Sequence, residues 1–205
     1  MRRKERIRRI ATTAGLTLLV GAAMLFTRGS SVSAHFVPNP CDFTTGGGFV
    51  ITDNGEHANF GLVGGCKHEG FFGHVNFVDH DTVGLFAGLH VSSTSITGYF
   101  VSNDADQRYR DICGTANTNL FFIGPVYFRV RTLDGGEPGS GPNGPDRFGI
   151  KLKRQSDGAE AVVITTRFLA GGNIQLHKPN PSTTGPTPPP DEFTACHMSG
   201  DDMGF

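Results

Sequence analysis

The 205-residue chain has no tryptophan and only three tyrosines, Tyr99, Tyr109 and Tyr127. Flat amphipathic rings for stacking on sugars are therefore scarce, and most of the 17 phenylalanines are needed for a core. This lowers a carbohydrate-binding reading without removing it. The four cysteines form no CxxC pair, which leaves little support for a redox or zinc-knuckle site. There is no HxH or HExxH, no G-x-S-x-G elbow and no G-x-x-x-x-G-K-[ST] loop. Beyond the first residues no segment has the periodicity of an amphipathic helix, and 29 dispersed glycines argue against helices, each costing near 1 kcal/mol in a helix interior.

The N-terminus carries the clearest signal. Arg2, Arg3, Lys4, Arg6, Arg8 and Arg9 precede an apolar run over 10–26, and Val32-Ser33-Ala34 supplies small side chains, so cleavage is expected after Ala34. The alternative is an uncleaved anchor of roughly 18 apolar residues, weakened by its threonines and glycines. Arg8-Arg9 reads as an ordinary basic n-region rather than a twin-arginine signal, because no strong apolar pair follows. Residues 1–34 are thus assigned as a signal helix. Seven of the 18 basic and one of the 19 acidic residues lie in it, which leaves 11 against 18 and a formal charge of −7. Such a surface disfavours nucleic acid and, unless the leader is retained, membranes; it is compatible with cations and neutral polymers. An exported location, secreted or in the cell envelope, permits disulfides. Of the three pairings open to four cysteines, Cys66–Cys113 and Cys41–Cys196 are expected.

A lead-in segment over 35–45, held extended by Pro38 and Pro40, precedes a module over 46–178. There, runs of strand length are cut by glycine, asparagine and aspartate. Val75 and Phe77 alternate with His74 and Asn76, Leu89 and Val91 with His90 and Ser92, and Val126, Phe128 and Val130 with Tyr127, Arg129 and Arg131. About ten strands are expected, arranged as an all-β antiparallel sandwich or jelly-roll-like module. Residues 179–190 hold six of the twelve prolines and are expected to form a linker, with 191–205 a short acidic tail.

Five elements occur in order: Gly47-Gly48-Phe49-Val50, Ala58-Asn59-Phe60-Gly61-Leu62-Val63, Gly73-His74-Val75-Asn76-Phe77, Leu89-His90-Val91-Ser92-Ser93-Thr94-Ser95, and Gly171-Gly172-Asn173-Ile174-Gln175-Leu176-His177-Lys178. In these the chain resembles the post-COAP domain family of bacterial exported proteins over 46–178. The resemblance implies a secreted or surface protein, often set beside immunoglobulin-like repeats, with no catalytic residues to carry over. This chain departs from that setting in having one module and a short tail.

Three constellations could carry chemistry. His74, His80 and His90 have the character of zinc or copper ligands but lack ligand spacing. Asp134, Glu137 and Asp146 in a glycine-rich loop offer calcium-type oxygens without the EF-hand order. Asp79, Asp81, Asp104 and Asp106 are an acid/base option against the plainer role of turn residues. Ser92, Ser93 and Ser95 near His90 are more simply explained as neighbours on one strand. The expectation is a non-enzymatic exported β-module that binds an envelope polymer or surface protein and needs no cofactor. The alternatives are a metal-dependent exported enzyme using the histidines and a calcium-stabilised adhesion domain.

Overall fold

The computed structural model describes residues 35–101, 107–136, 146–201 and 203, without the side chain of Val163. The expected signal helix over 1–34, Asp104, Asp106 and Glu137 lie outside them. The module is all-β: β1 Phe43–Ile51, β2 His57–Lys67, β3 Gly70–Asp79, β4 His90–Phe100, β5 Tyr109–Thr118, β6 Val126–Leu133, β7 Arg147–Arg154, β8 Glu160–Phe168 and β9 Gly171–His177, then a short helix α1 Glu192–Cys196. The alternation at Leu89/Val91 belongs to β4, which carries two bulges. The residues before it, 82–88, form turns, with Gly84 and Gly88 at positive φ.

All nine strands belong to one antiparallel sheet in the order β8-β7-β6-β5-β4-β3-β2-β1-β9. The two-layer sandwich expected from the sequence is therefore replaced by one curled sheet. Period-two alternation marks a buried and a wet face in either architecture and does not choose between them. The curl follows from the register. β8 and β9 run the same way and are separated only by Leu169 and Ala170, yet β8 pairs with β7 and β9 with β1. In this step, Leu169 N–H donates to Asp146 O (2.9 Å) and Ala170 N–H to Phe49 O (2.9 Å). The two edges of the sheet are thus successive stretches of chain, and the sheet wraps toward a barrel.

The inner face is filled. Phe60 on β2 stacks on Phe148 on β7 with centroids 4.0 Å apart, and a Cβ on Gly64 (β2) would come within 2.6 Å of Ile112 on β5, so strands that are not neighbours face each other. Val50, Val75, Phe77, Phe128, Ile150 and Ile174 complete this core. At one end of the interior Tyr99 OH (2.7 Å) and Arg110 donate to Asp42, so the Asp42 and Arg110 charges neutralise each other.

Outside the sheet, residues 179–190 and the tail lie on the module instead of leaving it. Cys41 N–H donates to Thr183 O (2.7 Å), Thr166 N–H donates to Met203 O (2.6 Å), and Met198 and Met203 are buried. A second small core of Phe100, Cys113, Ala195, Cys196 and Met198 forms beneath α1.

The expected cysteine pairing is corrected to Cys41–Cys66 and Cys113–Cys196. β1 pairs with β2 through Phe43 opposite Gly65, which sets Cys41 beside Cys66 with Cα atoms 5.4 Å apart. Cys113 points out of the sheet, away from Ile112 and the inner core, and meets the tail. The loops closed, with sequence separations of 25 and 83, correspond to about 3–5 kcal/mol each in the chain-entropy description. Two disulfides are consistent with an oxidising location outside the cytoplasm or in the envelope. Non-reduced peptide mapping is expected to recover the 41–66 and 113–196 linked peptides; a 66–113 peptide would contradict this topology.

Candidate functional site

Among the described residues the histidine expectation does not assemble, and of the calcium set Asp134, Glu137 and Asp146, Glu137 lies outside them. Val78 stands opposite His90, and His74 lies four residues further along β3, roughly 13 Å away along the strand. His74 Nδ1 is 3.0 Å from Ser93 Oγ, and His90 Nε2 is 2.7 Å from Asn76 Oδ1. His80 follows the end of β3, where its N–H donates to His57 O (2.9 Å). Three histidines spread over one face cannot converge on an ion. Ser93 Oγ also accepts Val75 N–H (2.9 Å), so it fills a gap in the β3–β4 ladder rather than waiting for a substrate.

Asp134 and Asp146 are occupied by the closing strand. Asp146 accepts Gly135 N–H (2.8 Å) and Ile174 N–H; Asp134 accepts Gly136 N–H (2.9 Å) and Leu176 N–H (2.7 Å). Their carboxylates stand in for the strand that β9 lacks on that side, which is why a glycine-rich loop there carries acid.

Among the described residues the group with metal-ligand geometry is His35, Asp111 and Glu192, with ligand atoms within 4.8 Å of one another. Cations already sit there. Arg129, fully buried, pairs with both Asp111 and Glu192, and Arg131 holds Asp111 through Nε (2.8 Å) and a terminal nitrogen (2.8 Å). The same guanidiniums donate to Met198 O (3.3 Å) and Gly200 O (3.1 Å), and His35 Nδ1 lies 2.8 Å from Glu192. Two arginines and two carboxylates balance, and an added divalent ion would have to displace a guanidinium. This network clamps the N-terminal segment and the tail onto β5 and β6.

Burial alone would raise the Asp111 carboxyl, but Arg129 and Arg131 overrule it and hold it far below the usual carboxylate range. Glu192 is likewise lowered against its burial, by His35 and Arg129. Sequence reasoning placed Arg129 and Arg131 on the face opposite Val126, Phe128 and Val130 and named no partner for them. The available signal was two arginines at i and i+2 on a strongly alternating strand, which needed a covering segment with acids.

A cavity of about 230 Å³ opens where the 52–54 turn, the 81–87 loop and β8 meet. Asp81 accepts from Thr52 Oγ1 (2.7 Å) and Asn54 Nδ2 (2.7 Å), while its N–H donates to Asp79 Oδ1 (2.9 Å). Burial pushes the Asp79 carboxyl up. Both oxygens of Asp81 tie the turn to the loop, so the pair acts as the turn chemistry expects, and the cavity is smaller than usual small-molecule sites.

The remaining candidate is the outer face of β9, β1, β2, β3 and the adjoining parts of β4 and β5. Val50, Ala58, Phe60, Leu62, Val75, Phe77 and Ile174 point inward, so the alternate residues point out. Those outward positions carry threonine, asparagine, glutamine, serine, histidine, glycine and a few apolar groups. None of the outward positions over 43–51, 57–65, 72–78 and 171–177, nor His90, Ser92, Thr115 or Asn117, is a lysine, arginine, aspartate or glutamate. The register lines up one row across six strands, Asn173–Gly47–Gly61–Asn76–Ser92–Asn117. Aromatic pairs bound it on each side: Phe49 stacks on His57 (4.4 Å) and Phe43 on His177 (4.1 Å).

No family model matches the chain, and neither a curated protein nor a solved structure matches it.

Two outcomes check this assignment. Because the folded values of Asp111 and Glu192 lie below their unfolded ones, their contribution is complete above about pH 4.5 and drains away as the pH falls through the folded values. Asp79, raised by burial, contributes with the opposite sign. Thermal unfolding is expected to show Tm falling from pH 5 toward acid, with Asp111→Asn costing about 3–5 kcal/mol at neutral pH and flattening the acid slope. An unchanged slope would contradict the clamp. Elemental analysis of protein made without chelators is expected to find less than about a tenth of a metal per chain, since true sites fill near stoichiometrically.

Proposed function

We propose that the chain is an exported, non-enzymatic β-module of the post-COAP type that binds an uncharged partner, in the envelope or outside the cell, through its outer face over β9, β1, β2, β3 and β4. One observation carries this reading: the outward positions of β9, β1, β3 and of β2 as far as Gly65 bear no charged side chain, Lys67 at the end of β2 lying beyond them, although the chain after residue 34 has a formal charge of −7. Charges on a protein surface keep it soluble and unattached. A face without them, lined by amides, hydroxyls and imidazoles, can exchange hydrogen bonds with a neutral partner without stripping water from ions.

The leader pattern and the disulfides support export. The clamp and the Asp81 turn use their ionisable groups structurally, which favours binding over turnover. An envelope polymer or the neutral part of a surface protein fits; nucleic acid does not.

Co-sedimentation with the envelope fraction of the producing cells tests the reading. Wild-type protein is expected to be retained, and the Asn76→Asp/Ser92→Asp double variant to lose at least about tenfold in affinity, equivalent to ~1.4 kcal/mol. Equal retention of the two proteins, or steady cleavage of the polymer by the wild type, would refute it.

A further inference from the structure

Glycine in a strand interior weakens the strand, so each one needs a reason. For most strand glycines the reason is steric: a Cβ on Gly48 would meet Gly171 O at 2.2 Å, on Gly114 Ser95 O at 2.1 Å, and on Gly65 the Phe43 side chain at 2.5 Å. Gly70, Gly73 and Gly172 have positive φ. Gly47 and Gly61 have neither reason. A Cβ on Gly61 would meet nothing within 4 Å, and one on Gly47 only Phe60 O at an ordinary 3.6 Å. These two are direct cross-strand partners at the centre of the charge-free face.

Their missing side chains leave a trough. Its walls are the neighbouring rows, Thr45 with Val63 on one side and Phe49 with Asn59 on the other. Beyond the two glycines the row continues as the outward side chains of Asn76, Ser92 and Asn117, and the whole row spans five strand spacings, about 24 Å. At its β9 end the amide oxygen of Asn173, opposite Gly47, is buried and has no hydrogen-bond partner.

We infer that this trough seats an extended neutral polysaccharide chain lying across the strands, a conclusion that rests on the binding-face reading above. The occupant must be uncharged, because no counter-charge faces it. It must be extended, because the row is long and narrow. It must also offer hydroxyls in both donor and acceptor roles, because Asn76, Ser92 and Asn117 present both kinds of group. A peptide strand would pair with a sheet edge rather than a face. With tryptophan absent, the sugar is held by hydrogen bonds in the glycine floor, and the Phe49–His57 pair supplies apolar contact at its side.

The test is calorimetric titration of the intact disulfide-bonded protein with hexasaccharides of β-linked glucose, N-acetylglucosamine and mannose. An acidic uronate hexamer and an uncharged serine-rich peptide serve as controls. Gly61→Trp fills the trough and Gly47→Thr narrows it, while Thr165→Trp alters an exposed site on β8. At least one neutral hexasaccharide is expected to bind wild type and Thr165→Trp alike, with a loss of more than about tenfold in both glycine variants. Their Tm is expected to be unchanged or raised. The inference is overturned if no neutral hexasaccharide binds, if only a control binds, or if the glycine variants bind as wild type does. It is equally overturned if they unfold, because the positions would then not be open. Loss of envelope retention in the Asn76→Asp/Ser92→Asp variant without any sugar binding would leave the face assignment standing and remove the polysaccharide.

Discussion

The step at Leu169 and Ala170 moves the chain from the β7 side of the sheet to the β1 side, and carboxylates hold it there. Asp146 and Asp134 accept the Ile174 and Leu176 N–H groups that would otherwise form a bare edge on β9. Unpaired edges recruit other chains, and burying one without partners costs several kcal/mol in lost hydrogen bonds. With the step in place β9 is fixed against β1. Asn173 then lies beside Gly47, and the outer row becomes continuous across six strands.

A second constraint works on the opposite part of the sheet. Asp111, Arg129, Arg131 and Glu192 form a balanced network beneath the tail, and the Cys113–Cys196 bond closes the same region covalently. Burying four charges stabilises little by itself, because desolvation offsets most of the attraction. Its use is specificity: only one placement of the tail satisfies both guanidiniums through Met198 O and Gly200 O. Arg129 and Arg131 are thereby spent under the tail, while the outward positions of β1, of β2 as far as Gly65 and of β3 carry no charge.

Much of this organisation was legible in the residues. Alternation at Val75/Phe77 and at Val126/Phe128/Val130 located β3 and β6 because one face of each is buried. Five other features were not legible. The sheet's curl leaves the period of two unchanged. Thr44, Gly46 and Gly48 made the inner face of β1 look like a loop, so its start at Phe43 was placed in the lead-in segment. The tail has no periodicity, and Met198 and Met203 bury themselves through single contacts. The histidines drew attention as ligands, but their separation depends on register, which spacing within one strand cannot supply. The openness of Gly47 and Gly61 is visible only once the surroundings of each missing Cβ are known.

Amide hydrogen exchange at Ile174 and Leu176 tests most directly whether the sheet is closed as described. Closure through Asp146 and Asp134 requires both amides to exchange about as slowly as those of core strands such as β5 and β6. Exchange as fast as that of the exposed Asp53 and Asn54 amides would mean that β9 has a free edge, and with it neither the closing step nor the continuous outer row would hold.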